Sequence, residues 1–266
     1  MSAVGHARRY EEYKDLSRVS GGVSIIASRR GEELSPSCKP STVRVPVLSK
    51  TGEGATRAAW LFVGLILLLA GIALSVIAAG NGTVPGDIAI ARVIQQPASE
   101  EIDAVARLAS LVGDDFPAMM VFAVIGVGVL IAMGRRDLAL FVGVAAALRA
   151  VGPGLKLGIN SPRPTIEAMS IMVQADGPGF PSGHAMGAAL FYGAVAIVAP
   201  QFTANRPVAR GIQVAAFVMM GLIALSRVRL GVHWPSDVVG GLLFGLAAVY
   251  MIQAVLLTWR RARIRR

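Results

Sequence analysis

The stretch Ser226-Arg-Val-Arg-Leu-Gly-Val-His-Trp-Pro-Ser-Asp237 holds the residues of this chain best suited to chemistry. His233 and Asp237 stand four apart, and Trp234-Pro235-Ser236 between them reads as a helix start. Pro fits the first helical turn, and Ser or Asp there satisfies free backbone N–H groups. Positions four apart share a helix face, so the carboxylate can reach back to the imidazole. A carboxylate on one ring nitrogen fixes the tautomer and frees the other nitrogen as a nucleophile or base. A helix N-terminus with an incidental acid would by itself account for the pair. Asp237, however, is the only acid after Asp176, and Arg227 and Arg229 just upstream bring cations to the same spot.

The elements that must position these groups are membrane-spanning. Of the 266 residues, 54% are hydrophobic and only 16% charged, with mean hydropathy +0.61, against roughly 25% charged in soluble domains. The net charge of +10 bunches in the N-terminal tail, the C-terminus and short loops, which argues against a nucleic-acid partner. The single cysteine, Cys38, lies in the polar tail, so no intrachain disulfide forms and a thiolate metal site is not expected. His184 and His233 are the only histidines beyond that tail, too few for a His-rich metal site. Neither a metal nor another cofactor is expected.

Residues 1–56 mix charges, Ser, Gly and Pro without periodicity and read as a basic, mostly disordered cytoplasmic tail, with a short helix at 10–18. Six apolar runs follow, at 58–79, 116–134, 138–155, 182–199, 211–225 and 236–259, within a membrane domain 57–259. A basic cytoplasmic segment, 260–266, closes the chain. Between the first two runs, Ile102, Val105, Leu108 and Leu111 recur every third residue, as in an amphipathic helix at the membrane surface or against the bundle. Arg149 interrupts the third run, ahead of Gly152-Pro153-Gly154. Gly241 and Gly245 give the sixth a small-residue face suited to helix packing, within the chain or between chains, so oligomeric state stays open.

With both termini cytoplasmic, nineteen Lys and Arg fall inside and six in the outer loops, as the positive-inside rule requires. Trp60, Trp234 and Trp259 land at span ends, where an aromatic belt is expected. The fold expected is all-α: a polytopic bundle of six transmembrane helices with its polar patches at the extracytoplasmic end. Lys156 and Arg163, the segment Pro181-Ser182-Gly183-His184, and His233 with Asp237 all emerge on that side.

Cations there oppose the topology bias, and an anionic substrate explains them economically. Guanidinium forks match phosphate oxygens and a lysine adds a point charge. The Ser182 hydroxyl and the first free N–H groups of a helix opening at Ser182 would point at the anion, and Gly183 lets the backbone approach it. Singly, each piece has a plainer use: an arginine meeting lipid headgroups, a serine capping a helix. The joint spacing Lys156-(six residues)-Arg163-Pro164, Pro181-Ser182-Gly183-His184 and Ser226-Arg227-(five residues)-His233-(three residues)-Asp237 resembles the three-part signature of the type 2 phosphatidic acid phosphatase (PAP2) superfamily.

That superfamily includes integral-membrane lipid phosphatases and soluble vanadium haloperoxidases. The resemblance implies His233 as nucleophile forming a phosphohistidine, Asp237 orienting its ring, and His184 as proton donor and then activator of water. It implies Lys156, Arg163, Ser182, Gly183 and Arg227 as the phosphate cradle. Arg149, Arg229 and Pro181 are candidates behind that cradle: Arg149 facing substrate or pairing within the bundle, Arg229 meeting headgroups or serving structure. The implied activity is metal-independent hydrolysis of a terminal phosphate from phosphatidic acid, phosphatidylglycerophosphate or a polyprenyl diphosphate. The implied location is a bacterial inner or plasma membrane. A non-catalytic protein binding or transporting lipid phosphates is the alternative, and a vanadate-dependent haloperoxidase a more distant one.

Overall fold

The computed structural model describes residues 50–264, apart from 82, 97 and 115, within one compact unit. The expected tail helix and Cys38 lie outside the described residues. Among those described, all regular structure is helical: α1 Lys50–Asn81, α2 Asp87–Gln95, α3 Glu100–Asp114, α4 Phe116–Ala132, α5 Arg136–Ala147, α6 Gly152–Ile159, α7 Gly183–Phe202, α8 Arg206–Arg229 and α9 Pro235–Ile264.

Five apolar helices are long enough to cross a membrane: Thr56–Ala79, Arg136–Ile159, Gly183–Phe202, Arg206–Arg229 and Pro235–Arg263. The remaining expected span is α4, whose 17 residues make a rod of ~25 Å at the usual rise, against ~30 Å of hydrocarbon. The span Arg136–Ile159 joins α5 and α6 through a short 3-10 turn, Leu148–Val151. Pro153 explains it: without an N–H it cannot bond the carbonyl of Arg149, while its fixed φ suits the start of α6. The rod continues, so Gly152-Pro153-Gly154 tightens the helix rather than ending it.

Hydrocarbon offers helices little hydrophobic reason to associate, so close contact between backbones must hold them. α9 supplies it on two faces. Toward α1, a Cβ on Gly64 would lie 2.9 Å from Met251, and one on Gly71 3.0 Å from the Phe244 ring. Toward α7, a Cβ on Gly241 would lie 2.5 Å from the carbonyl oxygen of Ser182, and one on Gly245 2.5 Å from Ala189. Gly241 and Gly245 therefore pack within the chain.

α3 packs on α8 through its small residues, with Ala106, Ala109 and Ser110 buried and Gly113 set against Ile223. Its apolar stripe, Ile102, Val105, Leu108 and Leu111, faces outward. Small side chains let the two helix axes approach, which turns the bulky stripe away from the bundle. Trp234 departs from the aromatic-belt expectation. It is 2% exposed, packed in a core cluster with Met169, Val228 and Val238, because the turn that holds His233 folds it inward.

Gly245→Val is expected to force α7 and α9 apart and cost ~1–3 kcal/mol, as overpacking does. A lower unfolding temperature of the purified protein in detergent would show it, and an unchanged one would contradict so close a crossing.

Candidate active site

The site begins with a turn. At the end of α8, Leu230 N donates to Ser226 O at 2.9 Å and Gly231 N to Val228 O at 3.0 Å. Gly231 has φ 74°, and a Cβ on it would sit 2.1 Å from Ser170 O, so the turn requires glycine. Val232 N and His233 N then both donate to Arg227 O, at 3.1 and 3.3 Å. The chain doubles back, and His233 arrives beside the backbone of Arg227.

Asp237, in the first turn of α9, accepts from Trp234 N at 3.0 Å, and the same oxygen lies 3.1 Å from His233 Nδ1. One carboxylate thus caps its own helix and orients the imidazole. Arg163 Nη1, which only donates, stands 3.3 Å from Nε2, so the lone pair is there and Nδ1 carries the proton toward Asp237. His233 is 2% exposed and Asp237 fully buried. Burial first, and then the cations of Arg163, Lys156 and Arg227, hold the His233 imidazole well below its ordinary pKa of 6.5. It is neutral at physiological pH, with Nε2 available.

The opposite wall is the start of α7. Ser182 N donates to Asp237 O at 2.9 Å, which ties the first turns of α7 and α9 together. The Ser182 hydroxyl accepts from Ala185 N at 3.5 Å and is fully buried. It caps the helix, and its neighbour Gly183 lines the cavity. Pro181 is buried behind it. Lys156 Nζ donates to Pro178 O at 3.0 Å. Arg163 is held by the carbonyls of Gly177, Val232 and Asp176, at 2.9, 2.8 and 3.3 Å. These tethers surround a cavity of 460 Å³ whose wall includes Lys156, Arg163, Gly183, His184, Arg227 and His233. Three segments distant in sequence therefore meet, with both imidazoles on one cavity.

Residues that sequence reasoning passed over complete the wall. Ser110 of α3 accepts from Arg227 Nη1, and Arg107 lines the cavity beside it. Asp103 holds Arg229, Oδ1 to Nε at 2.7 Å, while Arg229 Nη1 donates to Ile94 O at 3.0 Å. Arg229 thus ties α8 to α2 and α3 and stays off the cavity wall. Asp103, Arg107 and Ser110 recur at helical spacing, a signal masked by the apolar repeat on the same helix. Asp87 is a further omission: buried at the start of α2, it accepts from Ser236 N and Oγ at 2.8 and 2.7 Å, a second cap on α9. Arg149 does reach the site. Its Nη1 donates to Gly183 O at 3.2 Å, and it lines both this cavity and a neighbouring apolar cleft.

The family model described as the PAP2 superfamily matches residues 137–263. That stretch belongs to the PAP2 superfamily. It runs from α5 to α9 and carries the whole cavity wall except what α3 adds. The fold is similar to the crystal structure of a transmembrane PAP2-type phosphatidylglycerolphosphate phosphatase from Bacillus subtilis, with TM-score 0.61 and 24% identity, covering 72% of this chain and 94% of that one. Among curated relatives, phosphatidylglycerophosphatase B of Bacillus subtilis is 30% identical over 134 residues, 49% of this chain and 63% of that protein. Lipid A 1-phosphatase of Rhizobium etli is 36% identical over 67 residues, 25% of this chain and 24% of its own length. The alignments thus cover less than two thirds of these relatives. The three PAP2-like stretches of this chain are the ones the cavity gathers.

Nitrogen NMR of His233 should show its titration midpoint below the ordinary 6.5, because burial and cations oppose its protonation. A midpoint at or above that value would mean the ring is solvated or the cations are elsewhere.

Proposed function

We propose that this protein is an integral-membrane lipid phosphatase that removes a terminal phosphate through a phosphohistidine. The observation that carries the reading is the shared cavity: His184, His233, Lys156, Arg163 and Arg227 all line it, with His233 Nδ1 occupied by Asp237 and Nε2 turned to the cations. Phosphoryl transfer needs an in-line nucleophile, a proton donor opposite it, and positive cover for the equatorial oxygens.

In this mechanism, Nε2 of His233 attacks phosphorus as the bond to the lipid oxygen breaks, and His184 protonates that oxygen. Asp237 stabilises the cationic ring. His184 then takes a proton from water, which attacks the phosphohistidine and releases inorganic phosphate. Lys156, Arg163, Arg227 and the Gly183 N–H hold the equatorial oxygens, and an incoming phosphoryl group takes over the donor that Arg163 directs at Nε2. Fixed cations provide the charge that a metal would otherwise supply. Among the described residues, no group of three or more His, Cys, Asp or Glu is placed to hold a metal ion.

What adjoins the cavity supports a substrate with an apolar tail. An apolar cleft of 300 Å³ borders it at Arg149, bounded by residues such as Phe122, Leu130, Leu190 and Val198. Such a lining suits an acyl or prenyl chain. The relatives named for phosphatidylglycerophosphate and lipid A point the same way. The Lys and Arg asymmetry favours termini in the cytoplasm and the site on the extracytoplasmic face of a bacterial inner membrane.

His233→Ala and His184→Ala should each lower phosphate release at least about a thousandfold, measured on purified protein with phosphatidic acid, phosphatidylglycerophosphate and polyprenyl diphosphate in liposomes. Full turnover in either variant would overturn the mechanism. EDTA is expected to leave the wild-type rate intact, and a loss restored by a divalent ion would require a metal.

A further inference from the structure

Arg149 stands where the two cavities meet. Among the described residues lining the apolar cleft it is the only charged one, and it lines the polar cavity as well. Its position is built into α7. Nη1 donates to the carbonyl of Gly183, the residue before His184, at 3.2 Å. One turn further on, a Cβ on Gly187 would lie 1.5 Å from that same nitrogen, so the missing side chain makes the notch that seats the guanidinium. A helix in lipid that leaves such a notch places the charge at one depth, beside the histidine assigned to the leaving group.

The count of donors matters here. A phosphoryl group in transfer exposes three equatorial oxygens, and Lys156, Arg163 and Arg227 with the Gly183 N–H already suffice for them. Arg107 and Arg149 are further cations on the wall, and of the two Arg149 alone also lines the cleft suited to the tail. It is the described residue that lines both the polar cavity and the apolar cleft.

We propose that Arg149, seated in the Gly187 notch, is an anion subsite for a second phosphoryl group, so that the protein selects amphiphiles with a diphosphate head over monophosphates. The inference rests on the phosphatase reading above and deepens it. In the step concerned, His233 Nε2 bonds to the terminal phosphorus and the bridging P–O bond breaks. The bridging oxygen leaves with its electron pair on a lipid monophosphate, whose negative charge grows as the P–O bond stretches ahead of proton transfer from His184. Arg149 stabilises that growing charge by a fork of N–H donors, an interaction that a lipid alcohol leaving from a monophosphate does not use. Water then cleaves the phosphohistidine, giving inorganic phosphate and the lipid monophosphate.

The test compares phosphate release by the wild type, Arg149→Gln and Arg149→Lys from a prenyl monophosphate and the matching prenyl diphosphate in detergent. Arg149→Gln should lower kcat/KM on the diphosphate at least about tenfold further than on the monophosphate, with Arg149→Lys recovering part of the difference. Gly187→Ala, which evicts the guanidinium without deleting it, should show the same selective loss. Methylenediphosphonate, a competitor that cannot be cleaved at its bridge, should inhibit Arg149→Gln more weakly than the wild type, with the inhibition by inorganic phosphate changed far less. Equal losses on both substrates and both competitors would overturn the proposal and reduce Arg149 to a support for the first turn of α7. Wild-type protein that releases phosphate from neither substrate would overturn the phosphatase reading, and this inference with it.

Discussion

The close crossing of α7 and α9 is the constraint on which the rest depends. Their first turns are joined by Ser182 N to Asp237 O, and Gly241 and Gly245 leave the α9 backbone bare where α7 lies against it. Because lipid does not drive helices together, contact of this kind substitutes for the hydrophobic force that assembles soluble bundles. It also decides the chemistry, since the two helix starts bring His184 and His233 to one cavity. A wider crossing would leave each imidazole on its own helix with nothing to share.

Around this junction, most polar groups serve structure and chemistry together. Asp237 caps α9 and orients His233 with one oxygen. Arg227 lines the cavity while Ser110 of α3 holds its guanidinium, and Arg229, two residues on, ties the same helix end to Asp103. The loop between α6 and α7 has no regular structure, yet it is stitched to α2 and α8: Gln95 bonds both backbone groups of Ser170, and Met172 N donates to Leu230 O. Such tethers hold cations in place before substrate arrives, so little reorganisation is left for the reaction itself.

The cleft beside the site is apolar and the cavity itself polar, and few residues line both. Arg149 is one, and its seat depends on a glycine four residues into α7. The α2 and α3 segment matters for the same reason. It covers the cavity with Arg107 and Ser110, caps α9 through Asp87, and turns its apolar stripe outward, so that one short excursion between spans closes the site.

The amino-acid sequence by itself determined what is local. The apolar runs announce spans by length and composition alone; five of the helices meet that test, while α4 is shorter than its run implied. The pairing of His233 with Asp237 and the helix start at Ser182 follow from spacing within one turn, which no distant contact needs to supply. Tertiary structure decided whatever depends on the direction a side chain takes from its helix. Spacing could not say that Trp234 folds inward, that Arg229 turns to Asp103, or that the bare backbone of Gly187 leaves room for Arg149. Each is set by how closely one particular neighbour approaches, and that distance is a property of the packed bundle, not of any stretch of chain.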